Sequence, residues 1–181
     1  MKKNTQRMVV TAVMLALASV LSMIKVFEMP LGGSITLLSM LPIALLSIQY
    51  GPKWGISSAF IYALIQIGLD IAKLMSWGLT LQMWIGSLVF DYLIAFTVIG
   101  LAGVFRKKGL FGICAGVALA LALRLLSHVI SGSIFFALWC PEGWANPIIY
   151  SICYNGFYMI PEIITTMIGA VLLFRSSQLK K

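Results

Sequence analysis

Charge is what this sequence has least of. Of its 181 residues only 10% are charged, with five acids against 13 Lys and Arg, and there is one histidine. Soluble domains carry about a quarter charged residues. An apolar fraction of 61% and a mean hydropathy of +1.02 exceed what a water-facing surface can absorb. Most of the chain therefore belongs in lipid, which excludes a water-soluble enzyme, a nucleic-acid-binding domain and a disordered segment. Cysteine is also scarce. Cys114, Cys140 and Cys153 are an odd number with no C-x-x-C spacing, so neither a full disulfide set nor a zinc site is indicated. They read as small apolar residues. One histidine and scattered acids make no metal site, and H-E-x-x-H is absent. No P-loop is present, so the chain does not itself hydrolyse ATP. Nor is there a G-x-S-x-G elbow, and neighbours such as Ser127 and His128 cannot form a catalytic hydrogen bond. Nothing calls for a cofactor, and no catalytic role is expected. Alternating ten-residue runs, the mark of a membrane β-barrel, are missing too.

What is present is a series of apolar runs between polar breaks, roughly at 8–26, 35–50, 54–75, 79–105, 109–139 and 147–174. They predict one domain over 1–181, an all-α integral membrane bundle of six transmembrane helices. The second run is short and contains Pro42, so a kink or a partial crossing is expected there. The fifth and sixth exceed the roughly 20 residues a bilayer needs, and are expected to tilt or protrude. MKKNTQR with Ala16-Leu17-Ala18 imitates a cleaved signal peptide. Its apolar stretch continues to Ile24, however, and reads as a retained first helix. With the N-terminus inside, the inner face holds Lys2, Lys3, Arg7, Lys53, Arg106, Lys107, Lys108, Arg175, Lys180 and Lys181. The outer face then holds only Lys25 and Lys73, with Arg124 inside a helix. Cytoplasmic loops collect Lys and Arg, so both termini are expected in the cytoplasm.

An ionisable group inside a span costs about 2.5–3.5 kcal/mol on insertion scales, so each needs a partner, a cavity or a function. The groups so marked are Asp70, Asp91, Arg124, His128 and Glu162, with Asn155 as a neutral companion. Arg124, His128, Gly132 and Phe136 recur at i, i+4 and share one helix face. In the predicted orientation Asp91, His128, Asn155, Tyr150, Tyr154 and Tyr158 fall at similar depth in the outer half, which implies a pocket open to the outside. A carboxylate and aromatic faces suit a cation, His and Asn supply hydrogen bonds, and Gly132 admits a flat ring close to the backbone. The implied ligand is small, planar and cationic. Trp139 and Trp144 are placed to cover it, and Phe27–Gly33 is a second candidate lid. Competing readings stand beside these. Asp91 and Arg124 suit a structural ion pair, His128 a core histidine, and the Tyr and Trp residues an interfacial belt. Asp70 with Lys73 reads as a solvated helix-end pair, and Glu28 as a loop residue.

Ala12 and Ala16, with Ser19 continuing the stripe, put small residues at i, i+4 on the first helix. Such a stripe lets another helix approach closely in lipid, within the bundle or from a partner membrane protein. A rival function from another class is a self-sufficient proton-coupled secondary transporter of a small cationic compound, with Asp91, Glu162 and His128 relaying protons.

MPLGGSITLLSMLPI (29–43), FDYLIAF (90–96), HVISGSIFF (128–136), CPEGWANPIIYSICYNGFYMIPE (140–162) and the A-x-x-x-A pair resemble the thiamine-specific S components of energy-coupling factor (ECF) transporters. The resemblance runs over nearly the whole chain. It implies a six-helix substrate-binding subunit in a bacterial cell membrane, with both termini cytoplasmic and no catalysis of its own. Such a subunit captures thiamine outside and docks on a transmembrane coupling protein with two ATPases. By motif, Asp91 takes the place of an acidic residue facing thiamine, with Tyr92 beside it. His128, Gly132, Tyr150 and Asn155 match pocket positions, and Phe136 and Trp139 join the substrate-binding set. Ala12 and Ala16 match the docking surface. Two departures are visible. Some members carry Trp at the place of Phe136, and DIAKLMSWGLTLQMW (70–84) differs from the shorter, Pro-containing segment the family implies there. A thiamine precursor or analogue is therefore also open as ligand.

Overall fold

The computed structural model describes residues 3–30 and 32–176. Lys2, Lys180 and Lys181, counted above toward the inner face, lie outside the described residues, as does the side chain of Lys3. The chain is mostly helical. Helix α1 (Lys3–Met23) is followed by strands β1 (Lys25–Glu28) and β2 (Ser34–Thr36), then α2 (Leu41–Tyr50) and α3 (Pro52–Ser76). Residues 81–103 form α4, and α5 (Gly109–Ile134) and α6 (Pro147–Arg175) complete the fold. Among the described residues four helical stretches are long and apolar enough to cross a membrane: Asn4–Met23, Pro52–Ser76, Leu81–Ile134 and Pro147–Arg175.

The third of these has 54 residues, which would reach ~81 Å if straight, against a hydrocarbon core of about 30 Å. It folds back on itself instead. Gly109 takes φ +65° at the turn, a conformation that favours glycine. Ser127 Oγ donates to Phe90 O across the two arms at 2.5 Å. A Cβ on Gly116 would strike Ala102 O, and one on Gly112 would strike Phe105 O, so α4 and α5 pack backbone to backbone as an antiparallel hairpin. Without a hydrophobic drive between helices in lipid, this close approach of small residues is what holds such pairs.

Two expectations change here. The run expected as a helix over 35–50 is helical only at Leu41–Tyr50. Pro42 does not kink it, because it sits in the first turn, where its missing N–H costs nothing. Ten residues reach ~15 Å, and Leu41 through Ile48 are all buried, so α2 is a core helix. Gly51, at φ +98°, ends it and lets Pro52 start α3 at once. Ser47 Oγ ties this core to α4, donating to Gly100 O (2.5 Å) and accepting from Gly103 N (2.9 Å).

The second change is a two-stranded antiparallel sheet, with Lys25 opposite Thr36 and Glu28 opposite Ser34. A purely helical chain was expected. Met29 N bonds to Gly33 O at 2.7 Å and Gly32 takes φ +92°, closing a β-turn hairpin at the end of α1. Helix α1 buries Thr11, Leu15, Ala18 and Ser22. Trp54 Nε1 donates to Thr11 Oγ1 (2.9 Å) and Ser22 Oγ to Gln66 (3.2 Å), fastening that face to α3. Ala12 and Ala16 point away from the bundle and are exposed.

Candidate binding site

Helix α4 changes its hydrogen-bonding pitch where the polar residues lie. Thr80 caps its start by accepting from Met83 N. The pattern then widens to π over Ser87–Ile94 and tightens to 3₁₀ over Val98–Gly103. Such π segments re-aim side chains and recur at functional sites. This one carries Asp91 and Tyr92 inward, toward α5 and α3.

Asp91 meets α5. Its Oδ1 lies 2.9 Å from His128 Nδ1, and its Oδ2 accepts from Ser131 Oγ at 2.6 Å. Arg124 Nε donates to His128 Nε2 at 3.3 Å. That leaves Nε2 as acceptor, so the imidazole proton sits on Nδ1 and points at Asp91. The row Arg124–His128–Asp91 is thus a cation and an anion relayed through a neutral ring. Arg124 also lies over the Phe96 ring, 4.1 Å from its centroid. The expected direct Asp91–Arg124 ion pair is not what forms, because His128, one turn above Arg124, comes between them.

Helix α6 supplies the aromatic wall. Tyr150, Tyr154 and Tyr158 recur at i, i+4, with successive ring centroids 5.8 and 6.2 Å apart. Tyr158 also stands edge-on to His128, at 6.1 Å. Asn155 sits among them with its amide engaged. Its Nδ2 donates to Ser151 O (2.9 Å) and Oδ1 accepts from Tyr158 OH (2.7 Å). One turn past Tyr158, Glu162 is fully buried and accepts from the backbone N–H and the hydroxyl of Thr36. Thr36 ends strand β2, so a carboxylate on α6 anchors the root of the hairpin.

The hairpin covers the space between these walls. Gly33 N donates to Tyr154 OH at 3.4 Å. A Cβ on Gly33 would enter the Tyr158 ring, and one on Gly32 would enter Trp77. The two glycines let the turn lie flat on aromatic faces. On the other side Glu28 pairs with Lys25 (2.8 Å) and with Lys73 of α3. These two ammonium groups, Lys25 first, hold the Glu28 carboxyl down at about 2. Beneath the hairpin lies a cavity of about 410 Å³ lined from α1, β2, α3, α4, α5 and α6, within the ~300–1,000 Å³ range of small-molecule sites.

Comparison with known proteins decides the family. The family described as "Thiamine transporter protein (Thia_YuaJ)" matches residues 8–181. "Thiamine transporter ThiT" of Bacillus subtilis (strain 168) is 32% identical over 190 residues, covering 97% of this chain and 93% of that one. The chain belongs to the thiamine transporter family. ThiT of Listeria monocytogenes, a structure solved by native-SAD phasing, superposes with a TM-score of 0.78 at 21% identity, covering 97% of both chains. That likeness establishes the shared fold. As members of the thiamine transporter family, such chains are multi-pass membrane proteins and not enzymes.

Of the eight residues the sequence nominated for the ligand, the structure places Asp91, Tyr92, His128, Gly132, Phe136, Tyr150 and Asn155 on the cavity wall. Trp139 stands behind it, packed on Phe136 (5.3 Å) and on Trp77 (6.4 Å). Trp144 is exposed and stacks on Tyr150 at 5.2 Å. Gly132 lines the cavity and also seats α5 against α6, since a Cβ there would collide with Ser151 Oγ. Asp70 was missed. It lines the cavity and accepts from Tyr92 OH at 3.0 Å, while Lys73, its expected partner, is taken by Glu28. Trp77 and Thr36 were missed as wall residues, while Gly33 belongs to the Phe27–Gly33 segment read as a candidate lid.

Proposed function

We propose that this protein binds thiamine in the cavity beneath the hairpin and serves as the substrate-capturing subunit of an ATP-driven ECF vitamin transporter. The observation that carries the reading is the cavity itself. It combines a tyrosine wall on α6, the His128–Asp91 row on α5 and α4, and a lid already seated on Tyr154 and Tyr158. Thiamine joins a permanently cationic thiazolium to a flat aminopyrimidine. Aromatic faces attract such a cation by about 0.5–2 kcal/mol each, and the polar row offers hydrogen-bonding edges for the pyrimidine. Asp91, Tyr92, His128, Gly132, Phe136, Tyr150 and Asn155 form this pocket, and Trp139 backs Phe136. With α2 as a short, partial crossing inside the bundle, the six helices carry the chain through a bacterial plasma membrane and leave both termini in the cytoplasm, in keeping with the distribution of Lys and Arg. Ala12 and Ala16, exposed on α1, offer a small-residue face to the coupling protein, which brings two ATPase subunits.

Two measurements test this. Thiamine added to the purified protein is expected to quench tryptophan fluorescence at micromolar concentration or below; a folded protein that gives no response refutes the binding role. Liposomes carrying this chain are expected to take up thiamine only when the coupling protein, the ATPases and ATP are present. Uptake by the chain alone under a pH gradient would establish the proton-coupled carrier instead.

A further inference from the structure

We infer that Asp70, rather than Asp91, is the counter-charge for the cationic ring of the ligand, and that Asp91 positions the wall; this rests on the thiamine reading above. Besides Asp70, the charged groups on the cavity wall are Lys25, Lys73, Asp91 and Arg124. Lys25, Lys73 and Asp91 are each already answered, and Arg124 answers Asp91 through His128, its Nη1 being left without a hydrogen-bond partner among the described residues. Asp91 has a donor on each oxygen and is balanced by Arg124 through His128. Lys25 and Lys73 converge on Glu28 of the hairpin, and Lys73 also stands 5.7 Å from the centroid of Trp77. Glu162 is not on the wall; its Oε1 is spent on Thr36, and its Oε2 is buried without a hydrogen-bond partner among the described residues, out of reach of a ligand in the cavity.

Asp70 differs. Its Oδ2 accepts one hydrogen bond, from Tyr92 OH, and its Oδ1 accepts none from the described residues. No cation stands within ion-pair distance of it among the described residues. It is half-buried at the end of an apolar helix, where a lone carboxylate is costly unless a cation arrives. A quaternary ring nitrogen has no N–H to donate. It seeks an unneutralised anion and aromatic faces, and Asp70 has Tyr92 at its oxygen, with Trp77 also lining the cavity. The ligand class selected at this end of the cavity is therefore a heteroaromatic cation, and Asp70 sets the preference for it over a neutral ring of the same shape.

The test is equilibrium titration of the full-length purified chain with thiamine and with its neutral isostere, in which a thiophene replaces the thiazolium. Asp70→Asn is expected to weaken thiamine by about tenfold or more and the isostere by less than about threefold, so that the preference for the cation collapses. Asp70→Glu is expected to keep the preference. Asp91→Asn is expected to weaken both ligands by similar factors and leave the preference intact. A preference unchanged in Asp70→Asn, or one abolished by Asp91→Asn instead, overturns the assignment. Asp70→Ser replaces the Asn variant if the latter is not monodisperse, with the same two outcomes. A wild-type protein that binds neither ligand refutes the thiamine reading itself, which is a separate result.

Discussion

Replacing Asp91 by Asn tests the central row of the site. The geometry sets the outcome. His128 Nδ1–H must still find an acceptor, so the Asn oxygen faces it, and the new NH₂ group faces Ser131, whose hydroxyl turns to accept. Both contacts survive in shape, but two charge-assisted bonds become neutral ones. The difference between the two kinds is about 1 kcal/mol each. Arg124, nearly buried, loses the anion that balanced it through the ring, and removing one partner of a buried pair costs about 3–5 kcal/mol when the pair is in direct contact. The relay through His128 softens this, so a total loss of about 2–4 kcal/mol is expected. For a chain of this size that corresponds to a fall in Tm of roughly 5 °C or more. Thiamine affinity should fall by about tenfold or more, or 1.4 kcal/mol, because the wall that receives the pyrimidine is loosened. Thermal unfolding in detergent, followed by fluorescence titration, reads both. A second variant sharpens the result. Asp91→Asn with Arg124→Met removes the orphaned cation as well, so the pair should be more stable than Asp91→Asn alone, a clear departure from additivity. If the single variant melts and binds as wild type does, or the double variant is simply the sum of two losses, the charge-balanced row is refuted.

Gly132→Ala is expected to cost about 1–3 kcal/mol by wedging α5 from Ser151 of α6, whereas Gly68→Ala, with nothing near its added Cβ, should be neutral or stabilising by about 0.5–1 kcal/mol; thermal unfolding of the pair separates packing from composition. Glu28 contributes through pH. Its folded pKa of about 2 lies below the ordinary 4.5, so its stabilisation is complete above pH 4.5 and is lost as pH falls toward 2. Glu28→Gln should flatten the drop in melting temperature between those values, and an equally steep drop would show that the Lys25–Glu28–Lys73 cluster adds nothing. Ala12→Trp and Ala16→Trp should leave thiamine titration unchanged, since both positions face away from the bundle, and should abolish ATP-dependent uptake in liposomes. Loss of binding in either would place those alanines in the bundle's own packing.

The parts of this molecule legible in its sequence are those set by local composition. Apolar runs had to become helices because backbone groups in lipid have no other partner, and Pro52 and Pro147 mark helix starts in both sequence and structure. The inward residues of α5 and α6 were legible as well, since a period of about 3.6 puts Arg124, His128 and Gly132, or Tyr150, Tyr154 and Tyr158, on one face each. Shared depth rightly grouped Asp91 with His128, and what failed were the two direct charge pairings, Asp70 with Lys73 and Asp91 with Arg124. Lys73 lies one turn from Asp70, yet it reaches Glu28, 45 residues earlier, because the hairpin folds over the end of α3. Asp91 and Arg124 suited a direct ion pair, yet His128 stands between them. Four-residue and three-residue strands carry no periodic signal, so the hairpin that redirects Lys73 was legible only as a candidate lid over Phe27–Gly33. This error has a functional consequence. Once the hairpin takes Lys73, Asp70 is left without a cation, and the carboxylate dismissed as a solvated helix end becomes the one best placed to meet a charged ring. The specificity of the site is thus decided by a contact between the lid and α3, and a change at Glu28 that frees Lys73 to turn back toward Asp70 should weaken a cationic ligand without touching the wall that holds it.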